Sequence, residues 1–391
     1  MTATRGTRST PRRAAPPRRG PSPSTVVVVA VALLCGLGLV MVYSASSVTS
    51  MRTLGNTWGV VARQGTWLVL GVVAVALAVR VPWQVWRDRI ALPLMLLSVA
   101  LLGYLAVGVL AQKATGTALP FVISVNGATR WLGVGSMQFQ PSDLAKPALV
   151  LWLARLLSER GRDLATWEGL KPVLVWSGIT CGLVVLGDDL GTTMLLGSIT
   201  LAMVFMAGAP LGKLATVGGV AVGMGVIAIV GMEQFRVTRI LAFLEPDKYR
   251  QGAGWQLWQS QIGLASGGLF GTGPGLARSK WGFLPEAHTD FILAVIGEEL
   301  GLIGSLAVLG LFVAFMAAGC SIGMRVRSPF CRLVAFGVTT WIGVQALINI
   351  GVTVGTLPTK GITLPFVSYG GTSLLMSLFG VGILLSVARD A

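Results

Sequence analysis

Thr25-Val26-Val27-Val28-Val29-Ala30-Val31-Ala32-Leu33-Leu34-Cys35-Gly36-Leu37-Gly38-Leu39-Val40-Met41-Val42-Tyr43 is a run of 19 residues without a charge, and its reading decides the fold. As a helix it reaches roughly 30 Å, the thickness of a bilayer's hydrocarbon layer. The run follows a basic flank and precedes the small residues Ser44-Ala45-Ser46, an arrangement shared with secretory leaders. It is long for a leader's apolar region and long enough to span, so a first membrane helix is the better reading.

The rest of the 391 residues agrees. Hydrophobic types make up 53 %, charged residues only 12 %, and mean hydropathy is +0.76. Soluble domains carry about 25 % charged residues, so a soluble enzyme of this length is excluded. The expected class is an all-α polytopic membrane protein of about ten transmembrane helices. The spans are read at 25–46, 58–79, 89–110, 141–159, 171–187, 190–208, 212–232, 291–320, 332–353 and 367–388. Residues 1–24, rich in Arg, Pro, Ser and Thr, read as a disordered basic tail. Residues 25–391 read as a single membrane domain with outer loops at 111–140, 233–290 and 354–366.

The net charge of +15 suggests nucleic acid only in a soluble chain. Here it reports orientation. With the tail inside, 18 of the 30 Lys and Arg residues fall on the inner side, which favours two cytoplasmic termini. That set comprises the six tail arginines, Arg80, Arg87, Arg89, Arg155, Arg160, Arg162, Lys171, Lys213, Arg325, Arg327, Arg332 and Arg389. The four cysteines show no metal or disulfide spacing, and one histidine argues against a His-based metal site. A divalent cation is compatible with the chemistry below, but no ligand cluster marks one.

This topology concentrates chemistry-bearing residues in the outer loops. The long loop holds Trp255 and Trp258 around Gln256, then Ser260, then a glycine run from Ser266 to Gly275. The tryptophan spacing suits an interfacial helix. The glycine run lacks a preceding strand and a Gly-Lys-Ser/Thr ending, so it reads as tight turns rather than a nucleotide loop. Leu284-Pro285-Glu286-Ala287-His288-Thr289-Asp290-Phe291 then opens span eight. Asp290 there is either a helix-start residue or a partly desolvated carboxylate suited to general-base work.

Glu298 and Glu299 lie two turns deeper, where charges need partners. Lys146 in span four and Arg63 in span two are the cations expected to supply one. In the shorter loop, Arg130 beside Trp131 is either an interfacial anchor or a grip on an anionic headgroup. Lys360, held between Pro358 and Pro365 in the last outer loop, points to an anionic ligand; Ser368 follows at the start of span ten.

These blocks together resemble the SEDS family (shape, elongation, division, sporulation) from about span one to span ten. The matching pieces are Gly127-Ala128 with Arg130-Trp131, Gln140 through Lys146, Asp189-Leu190-Gly191-Thr192, Leu284 through Phe291 with Gly297 through Gly301, and Leu357 through Ser373. Pro358-Thr359-Lys360-Gly361 is similar to the division branch; the elongation branch usually lacks that lysine. Gly187-Asp188-Asp189 departs from the family's common Gln-Pro-Asp, and Asp143 stands for a frequent Glu.

The resemblance implies a peptidoglycan glycosyltransferase that polymerises lipid II on the outer face of the cytoplasmic membrane, with a class B penicillin-binding protein and other division-machinery membrane proteins as partners. Asp290 matches the family's essential aspartate. The other substrate-binding candidates are Arg130, Trp131, Lys360, Glu286, His288, Gln256, Ser260 and Ser368, while Lys146, Glu298 and Glu299 are expected to be structural intramembrane charges. The rival readings are a lipid II flippase, an elongation-type polymerase and a non-catalytic division scaffold.

Overall fold

The computed structural model is mostly helical. It describes residues 20–116, 119–125, 128–134, 137–230, 238, 241–245, 248–252, 254–359 and 361–390. Lys360 and residues 1–19 of the basic tail lie outside the described residues.

Each of the ten expected spans coincides with a helix. These are α1 (Pro23–Leu54), α2 (Gly59–Arg80), α3 (Trp83–Thr115), α4 (Pro141–Arg160), α5 (Trp167–Leu186), α6 (Leu190–Met206) and α7 (Leu211–Val230). After α8 (Trp255–Gly267), which carries the paired tryptophans, come α9 (Ile292–Arg325), α10 (Pro329–Val354) and α11 (Gly371–Val387). Among the described residues, α1, α2, α3, α5, α9, α10 and α11 are each long and apolar enough to cross a membrane.

Boundaries follow local chemistry. Ser22 caps α1 by accepting from Thr25 N, Pro23 sits where no helical N–H is needed, and Gly55 ends the helix in the left-handed region at φ 71°. The third helix starts earlier than its apolar run, at Trp83, and passes a π turn over Trp86–Ile90. Pro141 opens α4, which is buried along nearly its whole length from Pro141 to Leu157. That central position explains how a helix of modest hydropathy lies among membrane spans: it faces protein, not lipid.

The segment between α3 and α4 is not a plain loop. It forms a three-stranded antiparallel sheet, β1 (Val122–Val125), β2 (Ala128–Val134) and β3 (Met137–Phe139), in the order β1-β2-β3. Ile123 pairs with Trp131, and Leu132 with Phe139. The Tyr104 hydroxyl donates to Pro120 O at 2.7 Å and ties this small sheet to α3.

Helix α9 is broken. Gly301 has φ 69° and ψ −165°, outside any helical conformation. The glycine-rich segment after α8 fills the break. Leu302 N donates to Gly268 O at 2.9 Å, and Thr272 N donates to Glu298 O at 2.9 Å. Two backbones approach here so closely that a side chain at Gly301 would collide with Gly271 N and Leu269 O.

One end of the bundle gathers the C-terminus and the basic connectors. Arg389 donates to Val79 O, Arg155 to Arg87 O, and Ser328 N to the Asp390 carboxylate. The opposite end brings together β2, the start of α6, the start of α9 and the segment before α11.

Candidate functional site

At that opposite end, the turn 284–291 delivers Asp290 to the head of α9. The turn closes on Glu286, whose carbonyl accepts from Thr289 N and Asp290 N, both at 3.2 Å. Glu286 adopts φ 56°, an uncommon conformation for a non-glycine residue. Its carboxylate accepts from the Thr289 hydroxyl at 2.9 Å. His288 O accepts from Tyr369 N at 2.9 Å, and the two rings lie 5.6 Å apart. Burial pushes the His288 imidazole below its ordinary value, with the nearby Glu286 carboxylate acting in the other direction.

Three elements converge on Gly361. A Cβ placed there would lie 3.5 Å from Asp290 Oδ2 and 3.8 Å from Arg130 Nη1. The carboxylate and the guanidinium therefore flank the space beside Gly361, each at van der Waals distance from where a Cβ would lie. Arg130 Nη2 donates to Asp188 O at 2.5 Å, which steadies the guanidinium against the turn before α6. Among the described residues, its buried Nε has no hydrogen-bond partner. Asp188 also lies 3.8 Å from Lys113 Nζ, while Asp189 caps α6 by accepting from Thr192 N at 3.0 Å. Asp290 is half-buried. The set combines a carboxylate near a helix start with a cation held across Gly361 from it.

The remaining expected residues divide. Trp131 is half-buried on β2 beside Arg130, and Gln256 is half-buried on α8. The Ser260 hydroxyl is fully buried and donates to Thr353 O at 2.8 Å, joining α8 to α10. Ser368 Oγ accepts from Leu364 N at 2.8 Å inside a buried turn. These two hydroxyls hold protein to protein.

The expected pairing of Lys146 or Arg63 with the glutamate couple is not what the structure shows. Lys146 Nζ lies 2.7 Å from Asp143 Oδ1, three residues away on α4, and both side chains are buried. The Thr372 hydroxyl donates to Asp143 Oδ2 at 2.8 Å. Glu298 instead accepts from Arg278 N at 2.7 Å, Ser279 N at 3.3 Å and Ser279 Oγ at 2.5 Å. Glu299 accepts from Ser44 Oγ at 2.6 Å and Ala277 N at 3.4 Å. Peptide N–H groups and hydroxyls satisfy these carboxylates, and in doing so they pin the 277–279 turn onto α9.

Three buried side-chain amides were not singled out from the sequence: Gln64 on α2, and Gln345 and Asn349 on α10. Each binds the segment 361–370. Gln345 Nε2 donates to Thr363 O at 3.0 Å, Gln64 Nε2 to Ser368 O at 3.1 Å, and Asn349 Nδ2 to Ile362 O at 2.7 Å. The available signal was an amide inside an apolar span, which demands a partner.

The fold is that of a multi-pass helical membrane protein, with a carboxylate and a guanidinium closing on one loop glycine. The chain belongs to the SEDS family: the family described as cell cycle protein, FtsW/RodA/SpoVE, matches over residues 25–391. It is 37 % identical to a probable peptidoglycan glycosyltransferase FtsW of Geobacter metallireducens, over 93 % of each chain. It is 38 % identical to the protein of that name from Coxiella burnetii, over 93 % of this chain and 95 % of that one. Among solved structures it resembles a chain from work on the structural coordination of polymerization and crosslinking by a peptidoglycan synthase complex. There the TM-score is 0.75 at 28 % identity, over 93 % of this chain and 97 % of that one. The rod shape determining protein RodA of Thermus thermophilus matches with a TM-score of 0.68 at 27 % identity, covering 93 % and 96 %.

Proposed function

We propose that the protein is an inverting peptidoglycan glycosyltransferase that joins lipid II units into β-1,4 glycan strands during cell division. Its site faces outward, and the end carrying Arg80, Arg155, Arg325 and Arg389 faces the cytoplasm with both termini. The observation that carries the reading is the convergence of Asp290 and Arg130 on Gly361.

The chemistry needs few groups. A sugar 4-hydroxyl attacks C1 of the sugar on the pyrophosphate, the C1–O bond to the pyrophosphate breaks, and configuration at C1 inverts. The hydroxyl's proton passes to the Asp290 carboxylate. A glycosidase of inverting type needs a second carboxyl group to protonate its leaving group. Pyrophosphate leaves without that proton, so fixed positive charge takes the acid's place. Arg130 supplies it, with an Nε that has no partner among the described residues and a planar fork suited to phosphate oxygens. Lys360, next to Gly361 in the chain, is the second cation in this reading. Trp131, Gln256, Glu286 and His288 remain substrate-contact candidates around the same face.

The partners proposed are a class B penicillin-binding protein that crosslinks the strands, and other membrane proteins of the septum. The test is polymer formation by purified protein from lipid II in detergent, with and without the transpeptidase, read as a glycan ladder on a gel. A ladder supports the polymerase. No ladder under either condition, with lipid II movement across vesicles instead, overturns it in favour of a flippase.

A further inference from the structure

Asn349 is a buried amide, 1 % exposed, in the middle of α10's last turns. Its Nδ2 donates to two carbonyls of distant segments: Asp290 O at 2.8 Å and Ile362 O at 2.7 Å. Gln64 and Gln345 hold the 361–370 segment as well, Gln64 from α2 and Gln345 from α10, but neither bonds the Asp290 carbonyl.

We infer that Asn349 is a positioning residue for the polymerase, the clamp that sets the separation between the Asp290 carboxylate and the Gly361 segment facing Arg130. The inference rests on the function proposed above. Its physical basis is geometric. Asp290 lies in a turn two residues before the first residue of α9. Ile362 lies in a stretch without regular structure. One planar amide with two donor hydrogens bonds both carbonyls at once and so turns two independently placed segments into one unit. Across Gly361 the Asp290 carboxylate has the Arg130 guanidinium of β2, and its own turn carries Glu286 and His288. Lys360 borders the same segment in the chain. A small shift of the carboxylate changes its distance to Arg130 and to the hydroxyl it must deprotonate. Misplacement of about 1 Å costs about 100-fold in rate when a reaction depends on alignment.

The test compares purified Asn349→Ala, Asn349→Ser and Gln64→Leu with wild type in the lipid II polymerisation assay, over substrate concentration and over pH, with melting midpoints measured alongside. The expected result is a kcat loss of about 10–100-fold for Asn349→Ala, smaller for Asn349→Ser, with KM near wild type. The acid limb of the pH–rate profile should also move to higher pH, because a carboxylate drawn away from a cation holds its proton more readily. Gln64→Leu loosens the same segment from α2 and should leave the acid limb in place. A purely structural Asn349 would reduce the amount of active protein without moving the limb. An unmoved limb in both Asn349 variants, or wild-type kcat, overturns the inference. Failure of the underlying function looks different: Asp290→Asn would then polymerise as well as wild type.

Discussion

Replacing Lys146 by Met tests the buried electrostatics directly. The Lys146 ammonium lies 2.7 Å from the Asp143 carboxylate, with side chains 4 % and 5 % exposed. Both side chains are withdrawn from bulk solvent, so this is not a surface ion pair of negligible value. Lys146→Met leaves Asp143 Oδ1 without its cation while Thr372 still donates to Oδ2. Removing one partner of a buried pair costs about 3–5 kcal/mol. Removing both together is far milder, because the desolvation cost of the charges disappears with them. Asp143→Leu/Lys146→Met should therefore recover about half or more of the single variant's loss. Glu298→Gln shares no partner with Lys146 in the structure and should add to Lys146→Met within about 0.5 kcal/mol. Equilibrium unfolding of purified protein in mixed detergent micelles reads all of these. A loss below about 1 kcal/mol for Lys146→Met, or strong coupling of Lys146 to Glu298 rather than to Asp143, would refute the reasoning.

Further outcomes follow from other parts of the fold. Gly301→Ala should abolish accumulation of folded protein, since φ 69° and the contact with Gly271 N and Leu269 O leave no room, whereas Gly310→Ala in the same helix meets nothing within 4 Å and should be tolerated; membrane-fraction yield separates the two. Glu298→Gln sets an amide N–H₂ among three donors and should cost about 1–3 kcal/mol by thermal unfolding, more than Glu299→Gln, whose backbone contact is longer at 3.4 Å. Burial lowers His288, so the folded state favours the neutral ring. Its contribution is complete above the ordinary value of about 6.5 and is lost as pH falls below it, because the unfolded chain then takes up the proton first. Melting midpoints measured from pH 8 down to 5 should fall more steeply for wild type than for His288→Gln.

The helices were legible because a bilayer imposes one length and one composition on its spans, and runs such as Thr25–Tyr43 meet both. The sheet over Val122–Phe139 was not, because its strands are short, interrupted by glycines and free of a long alternating pattern. The break at Gly301 was hidden for another reason. An isolated glycine in an apolar run signals little, and the backbone that fills the gap lies some thirty residues upstream, at Gly268–Gly273. The partners of Glu298 and Glu299 were misread since residue types advertise only side-chain cations, while the donors are peptide N–H groups brought by the 277–279 turn. Asp290 and Arg130 stood out by residue type and loop position, whereas Gly361 did not. Their meeting at one point depends on β2, α9 and the segment before α11 packing at the same end, which no spacing along the chain records.

The central claim is that the Asp290 carboxylate takes the proton from the attacking sugar hydroxyl. The most direct measurement is the initial rate of glycan polymerisation from lipid II by purified Asp290→Asn, at matched protein concentration and with its melting midpoint checked against wild type. The account predicts a folded protein whose rate is lower by about 10²–10⁴-fold, the usual worth of a positioned general base. A folded Asp290→Asn protein that polymerises at the wild-type rate would contradict it.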